Sequence, residues 1–208
     1  MSTPWTVLLI GGASGNGKTT LAEALGRHFG VPWLQVDDLR LALQYGGLLT
    51  TTTHPPLFAF LADESVWQKP PLVLRDQLIA IGTLLIPAIE TVVTHHLRTS
   101  KPLIIEGDGI IPALFTTATL HDAITTRQLR GAFLTATTTQ RHANMAARGE
   151  RSDIPLAADS PRASETMNEL YGDWLGREAG RHGVPCVPAY PQAMLTERFI
   201  AALDLARG

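Results

Sequence analysis

The eight residues Gly12-Ala13-Ser14-Gly15-Asn16-Gly17-Lys18-Thr19 constrain this chain more than any others, because they fit G-x-x-x-x-G-K-[ST] and lie between segments of different periodicity. Before them, Trp5 to Ile10 is a short apolar run bounded by glycine and reads as a strand. After them, Thr20 to Phe29 places Leu21, Leu25 and Phe29 four apart, and Gly30 with Pro32 just beyond ends the segment as helices end. A glycine loop in that setting lets main-chain N–H groups wrap a polyphosphate while the positive end of the next helix points at it. Lys18 then reaches the β- and γ-phosphates and the Thr19 hydroxyl ligates Mg²⁺. Gly12 through Thr20 are therefore the expected ATP-binding residues, with an incidental glycine-rich turn as the weaker alternative.

Downstream, apolar runs alternate with helical spacing. Val31 to Val36 reads as a second strand, ending in Asp37-Asp38, and Leu39 to Tyr45 as a helix. An irregular stretch follows to Pro70-Pro71. A long segment to His96 then carries Leu78, Ile81, Leu85, Ile89 and Val92 at helical spacing, with Pro87 expected to bend it. Leu103 to Ile105, Leu129 to Leu134 and Val184 to Val187 read as further strands. Between the last two lie a helix over Thr137 to Ala147, a charged loop and a helix opening at Ser160-Pro161. A final helix bears Leu195, Phe199, Ile200 and Leu203. Such alternation implies an α/β fold, a parallel sheet with helices on both faces.

Charge and composition exclude several classes. With 17 Lys+Arg against 19 Asp+Glu the net charge is −2, so no strongly basic nucleic-acid binder is expected, although 14 of the cations are Arg, suited to forked recognition of phosphate. The single cysteine, Cys186, rules out an internal disulfide and reads as a small buried strand residue. No spanning helix is expected over Leu78 to Val93, because Arg75, Asp76 and Gln77 precede it and Pro87 and Glu90 interrupt it. A soluble, cytoplasmic protein with no membrane partner is the expectation.

The order of these segments resembles the small P-loop kinases: the nucleoside monophosphate, shikimate, gluconate and chloramphenicol kinases and an uncharacterised bacterial P-loop ATPase/kinase branch. The residues that carry the likeness are Gly12 to Thr19, Val36-Asp37-Asp38-Leu39-Arg40, Ile105-Glu106-Gly107-Asp108-Gly109, Arg148, Arg151 and Pro188-Ala189-Tyr190-Pro191. The resemblance implies one three-layer P-loop NTPase domain over residues 1–208, with five parallel strands in the order 2-3-1-4-5. It also implies an acceptor-binding insertion at about 39–75 and a lid at about 148–160. Asp37 or Asp38, expected at the carboxyl end of strand two, is the candidate base that deprotonates an acceptor hydroxyl; an N-cap role for Asp38 is the alternative. Arg40 resembles the arginine that holds an acceptor phosphate, with a solvated helix residue as its alternative. Glu106 or Asp108 would hold Mg²⁺ through water or bind a polar acceptor, although Asp108-Gly109 is also an ordinary turn pair. Arg148 and Arg151 would close on ATP and neutralise charge on the transferred group, and Arg141 is one further candidate for that face. Pro188 begins a loop resembling the one that cradles adenine.

Only Arg40, Lys69 and Arg75 are cationic between Leu39 and Leu97, where Tyr45, Phe58, Phe60 and Trp67 also lie. A phosphorylated acceptor needs several arginines, so this stretch favours a hydroxyl acceptor that is not itself phosphorylated. The reading is an ATP- and Mg²⁺-dependent small-molecule phosphotransferase. Alternatives are a nucleoside monophosphate kinase-like activity, a P-loop ATPase or nucleotide-gated binding protein without a small acceptor, and a non-catalytic module forming a homodimer through the apolar helix. Gly172, Gly176 and Gly180 recur every four residues in the Ser160 to Arg181 helix. Each costs about 1 kcal/mol against alanine, so either a close approach or an exposed face must account for them.

Overall fold

The computed structural model describes residues 3–47, 49–60, 64–148 and 160–205, and in them a parallel sheet forms the middle layer of three. Its strands are β1 (Val7–Gly12), β2 (Trp33–Gln35), β3 (Leu103–Glu106), β4 (Leu129–Thr135) and β5 (Cys186–Pro188), in the order β2-β3-β1-β4-β5. The helices are α1 (Lys18–Phe29), α2 (Val36–Tyr45), α3 (Pro71–Thr99), α4 (His121–Thr125), α5 (Thr138–Arg148), α6 (Ser160–Arg181) and α7 (Leu195–Ala202). Strand alternation divides the core between two faces. Val7 and Leu9 of β1 join Ile81, Leu85, Ile89 and Val93 of α3 and Tyr171, Leu175 and Ala179 of α6 on one side. Leu8 and Ile10 join Leu21 and Leu25 of α1 and Leu195 and Phe199 of α7 on the other. Such burial on both faces is what makes parallel strands read as unbroken apolar runs.

Three expectations need correction. The second strand stops at Gln35, and Val36 opens α2, its side chain buried beneath the loop after β3. Asp37 and Asp38 consequently lie in the first turn of α2. Gln35 occupies the cap position without a side-chain bond, so Asp38 is not an N-cap. Cys186 belongs to a strand but is exposed, because β5 is the sheet edge and pairs only with β4. Finally, despite Pro87 and Glu90, α3 runs unbroken for 29 residues, long and apolar enough to cross a membrane by length and composition. In this fold its buried stripe instead packs on the sheet and against α6.

Glycine appears where strand and loop must touch. A Cβ at Gly107 would lie 2.7 Å from the Val36 Cβ, and one at Gly109 2.8 Å from Leu85 Cδ1. The loop after β3 is thus pressed onto the start of α2 and the middle of α3. That contact brings the acidic residues of two elements to one edge of the sheet.

Candidate active site

The loop from β1 to α1 takes the conformation its glycines permit. Gly12, Gly15 and Gly17 have φ of 141°, 81° and 82°, values that L side chains rarely adopt. Gly17 caps α1 in the left-handed region with no side-chain partner and no acidic residue in the first turn, so neither competes for the first amides of α1, the arrangement that suits an anion. Lys18 is 8% exposed and folds back to donate to the Ala13 carbonyl at 3.1 Å. Thr20, by contrast, is exposed.

Register sets what faces this loop. Ile10, Glu106 and Gln35 are level across β1, β3 and β2, so Asp108 and Asp37 each sit two residues beyond the same row. Lys18, Thr19, Asp37, Glu106 and Asp108 line one cavity of about 80 Å³ beside Ser14 and Gly15. The Thr19 hydroxyl donates to Glu106 Oε1 at 2.8 Å. Arg40 Nη2 is paired with Asp37 Oδ1 at 3.1 Å. Asp38 is exposed and outside the cavity wall, so the structure separates two aspartates that the sequence left equivalent.

Electrostatics follow from this crowding. Burial pushes the Asp37 carboxyl above its ordinary range and the nearby Asp108 charge adds to the rise, while Arg40 and Lys18 oppose it. Glu106 is buried and also raised, first by desolvation and then by Asp108 and Asp37, against the pull of Lys18 and the Thr19 hydrogen bond. Three carboxylates beside one lysine leave the cavity rich in hard oxygen donors, the donor class Mg²⁺ prefers.

The other expected residues are dispersed. Pro188 ends β5, is exposed, and accepts from Arg198 through its carbonyl. Arg148 is the last residue of α5 and its side chain lies outside the described ones, as do Arg151 and the lid expected over 148–160 beyond the two helix ends. Arg141 is buried and does not line the cavity of Lys18 and Asp37, donating to Ala136 O at 2.8 Å and Thr138 Oγ1 at 3.1 Å. Phe60 and Trp67, 5.5 Å apart, belong to a small cluster with Leu74 and Met167, while Tyr45 is exposed.

One group carried no sequence signal. Asn144 Nδ2 donates to the Gly15 carbonyl at 2.7 Å, and its Oδ1 accepts from the Tyr190 hydroxyl and from Gln192 Nε2. Asn144 therefore ties the glycine loop to α5 and to the loop after β5. Nothing in its spacing distinguishes it from a surface asparagine, because the contact spans 129 residues of sequence.

No protein-family model matches the chain, and no curated protein matches it significantly. Solved structures do share its fold. A gluconokinase from Sinorhizobium meliloti 1021 is 18% identical, with 98% of this chain and 94% of that one covered and a TM-score of 0.52. Deoxyadenosine kinase from M. mycoides, with bound dATP, is 12% identical over 96% of this chain and 99% of that one, with a TM-score of 0.50. The architecture is the five-stranded, three-layer fold of the small P-loop kinases.

Proposed function

We propose that this protein is a kinase that moves the γ-phosphoryl group of ATP to a hydroxyl of a small molecule not itself phosphorylated. The observation that carries the reading is the shared cavity: a carboxylate of raised proton affinity, Asp37, lies on the same wall as Lys18 and Thr19 of the glycine loop. Main-chain amides of Gly15 to Thr19 and the Lys18 ammonium would bind and orient the triphosphate. Thr19, with Glu106 or Asp108 through water, would hold Mg²⁺, which neutralises charge on the β- and γ-phosphate oxygens. Asp37 would accept the acceptor hydroxyl proton as the acceptor oxygen bonds to the γ-phosphorus. The bond from that phosphorus to the bridging oxygen breaks, leaving its electron pair on ADP. Phosphoryl transfer asks the protein chiefly for positioning and charge stabilisation, and these residues supply both.

Residues 39–75 are the proposed acceptor segment, and 148–160, with Arg148 and Arg151, the proposed lid. The scarcity of cations between Leu39 and Leu97, where Arg40, Lys69 and Arg75 stand alone and Arg40 Nη2 is paired with Asp37, supports a sugar, aminoglycoside-like compound or other hydroxyl-bearing metabolite. Because one structural neighbour is a gluconokinase, gluconate is a reasonable first compound to try. The test is ADP release across a panel of hydroxylated metabolites with Mg²⁺. Acceptor-dependent ADP release that disappears in Lys18→Ala and Asp37→Asn is expected. ADP production indifferent to every acceptor would replace this reading with an ATPase, and phosphorylation of AMP or CMP at ordinary kinase rates would overturn the choice of acceptor class.

A further inference from the structure

The bare stripe on α6 has two different explanations along its length. Gly180 is exposed with no heavy atom within 4 Å of the Cβ it lacks. Gly172 and Gly176 instead line a second cavity of about 370 Å³, between α5 and α6, which also has Asn16, Arg141, Asp173 and Arg177 in its wall. A Cβ at Gly172 would come within 3.6 Å of both the Ala13 Cβ and Arg141 Nη1, and one at Gly176 would meet nothing within 4 Å. Side chains at either position would occupy this space. Its size falls within the range of small-molecule sites.

The charged groups in the wall, Arg141, Asp173 and Arg177, form no ion pair among the described residues. Arg141 is 6% exposed, and among the described residues no carboxylate lies within ion-pair distance of it. Its guanidinium donates to the Ala136 carbonyl and to the Thr138 hydroxyl, which in turn donates to Glu169 Oε1 at 2.9 Å. Asn16 is 2% exposed; its Nδ2 donates to Leu134 O at 2.6 Å, and its Oδ1 has no partner. Asp173 and Arg177, one turn apart on the exposed side of α6, are not paired with each other among the described contacts. The wall therefore offers two cations and one anion around an open space.

We propose that this cavity binds a small zwitterionic metabolite, its oxyanion held by Arg141 and Arg177 and its ammonium by Asp173. The site lies beside Ala13 and Asn16 of the glycine loop but uses none of the residues assigned to phosphoryl transfer except that shared wall. The oxyanion can be a phosphate or a carboxylate, and the experiment separates the two.

O-phospho-L-serine and L-glutamate are titrated by calorimetry into the wild type and into Lys18→Ala, which removes the loop lysine as a source of phosphate binding. One saturable site per chain is expected in both proteins, and the tighter probe identifies the oxyanion. Inorganic phosphate, lacking the ammonium, is expected to bind at least about tenfold more weakly than O-phospho-L-serine if phosphate is the preferred group. Gly176→Leu, which fills the space from a helix position with no heavy atom nearby, should weaken the better probe at least about tenfold without lowering the melting temperature. Arg177→Ala should weaken it severalfold. No saturable heat from either zwitterion at millimolar concentration, or unchanged affinity in Gly176→Leu, overturns the proposal. Neither outcome bears on acceptor-dependent ADP release, which is measured separately.

Discussion

In the proposed reaction Glu106 sets stability against chemistry within one side chain. Its carboxyl is raised in the folded protein, chiefly by burial. The folded state therefore holds its proton more tightly than the unfolded chain. The associated stabilisation is full below the unfolded pKa and is lost as pH rises through the folded one. Glu106→Gln, which keeps an acceptor for Thr19, should accordingly raise the melting temperature of the nucleotide-free protein near pH 8 and converge with wild type in acid. The same variant should lose activity through weaker Mg²⁺ binding, visible as a raised Mg²⁺ requirement. Asp37→Asn should lower kcat by about 10²–10⁴-fold, the usual contribution of a positioned base, with little change in nucleotide affinity. The acid limb of the wild-type pH profile should fall above the ordinary aspartate value of about 3.9. Asp108→Asn should move that limb down, because Asp108 raises Asp37, and Arg40→Ala should move it up, because Arg40 lowers it.

At the level of elements, glycine has opposite meanings in a strand and on a helix. Gly131 lies in β4 beside β1, where a Cβ would fall 2.8 Å from the Leu9 carbonyl and 2.7 Å from Phe115 Cζ. Backbone cannot yield as a flexible side chain can, so Gly131→Ala should destabilise the protein by about 1–3 kcal/mol, measured by denaturant unfolding. Gly180→Ala, with nothing nearby, should stabilise it by about 1 kcal/mol at most. Sequence spacing alone shows both as interruptions of an otherwise regular pattern. Likewise the boundaries of α1, α3 and α6 were legible to within a few residues, since periodicity and the left-handed Gly30 stop are local features. The end of β2 was not legible. Val36 has strong strand propensity, yet it opens a helix because its side chain packs under Gly107 and Gly109, which arrive from the far side of α3 in the sequence.

For the whole molecule, ligand binding and folding are linked. Saturating ADP with Mg²⁺ at about 100 times its Kd should add about 2.7 kcal/mol to the folded state. A domain of this length should then melt about 5–10 °C higher, and Lys18→Ala should abolish the shift in a thermal melt. The glycine loop, the alternation of strands and helices and the absence of a second cysteine are properties of neighbouring residues and composition. The sequence by itself therefore determined that the chain forms a parallel sheet with a glycine-rich turn between its first strand and first helix. Which acidic residue faces that turn, the tie from Asn144 to Gly15, and the space left by Gly172 and Gly176 depend on residues far apart along the chain. Only the tertiary structure decided them, because direction and distance between side chains come from the register of strands and the packing of helices, and neither is encoded in spacing along a single segment.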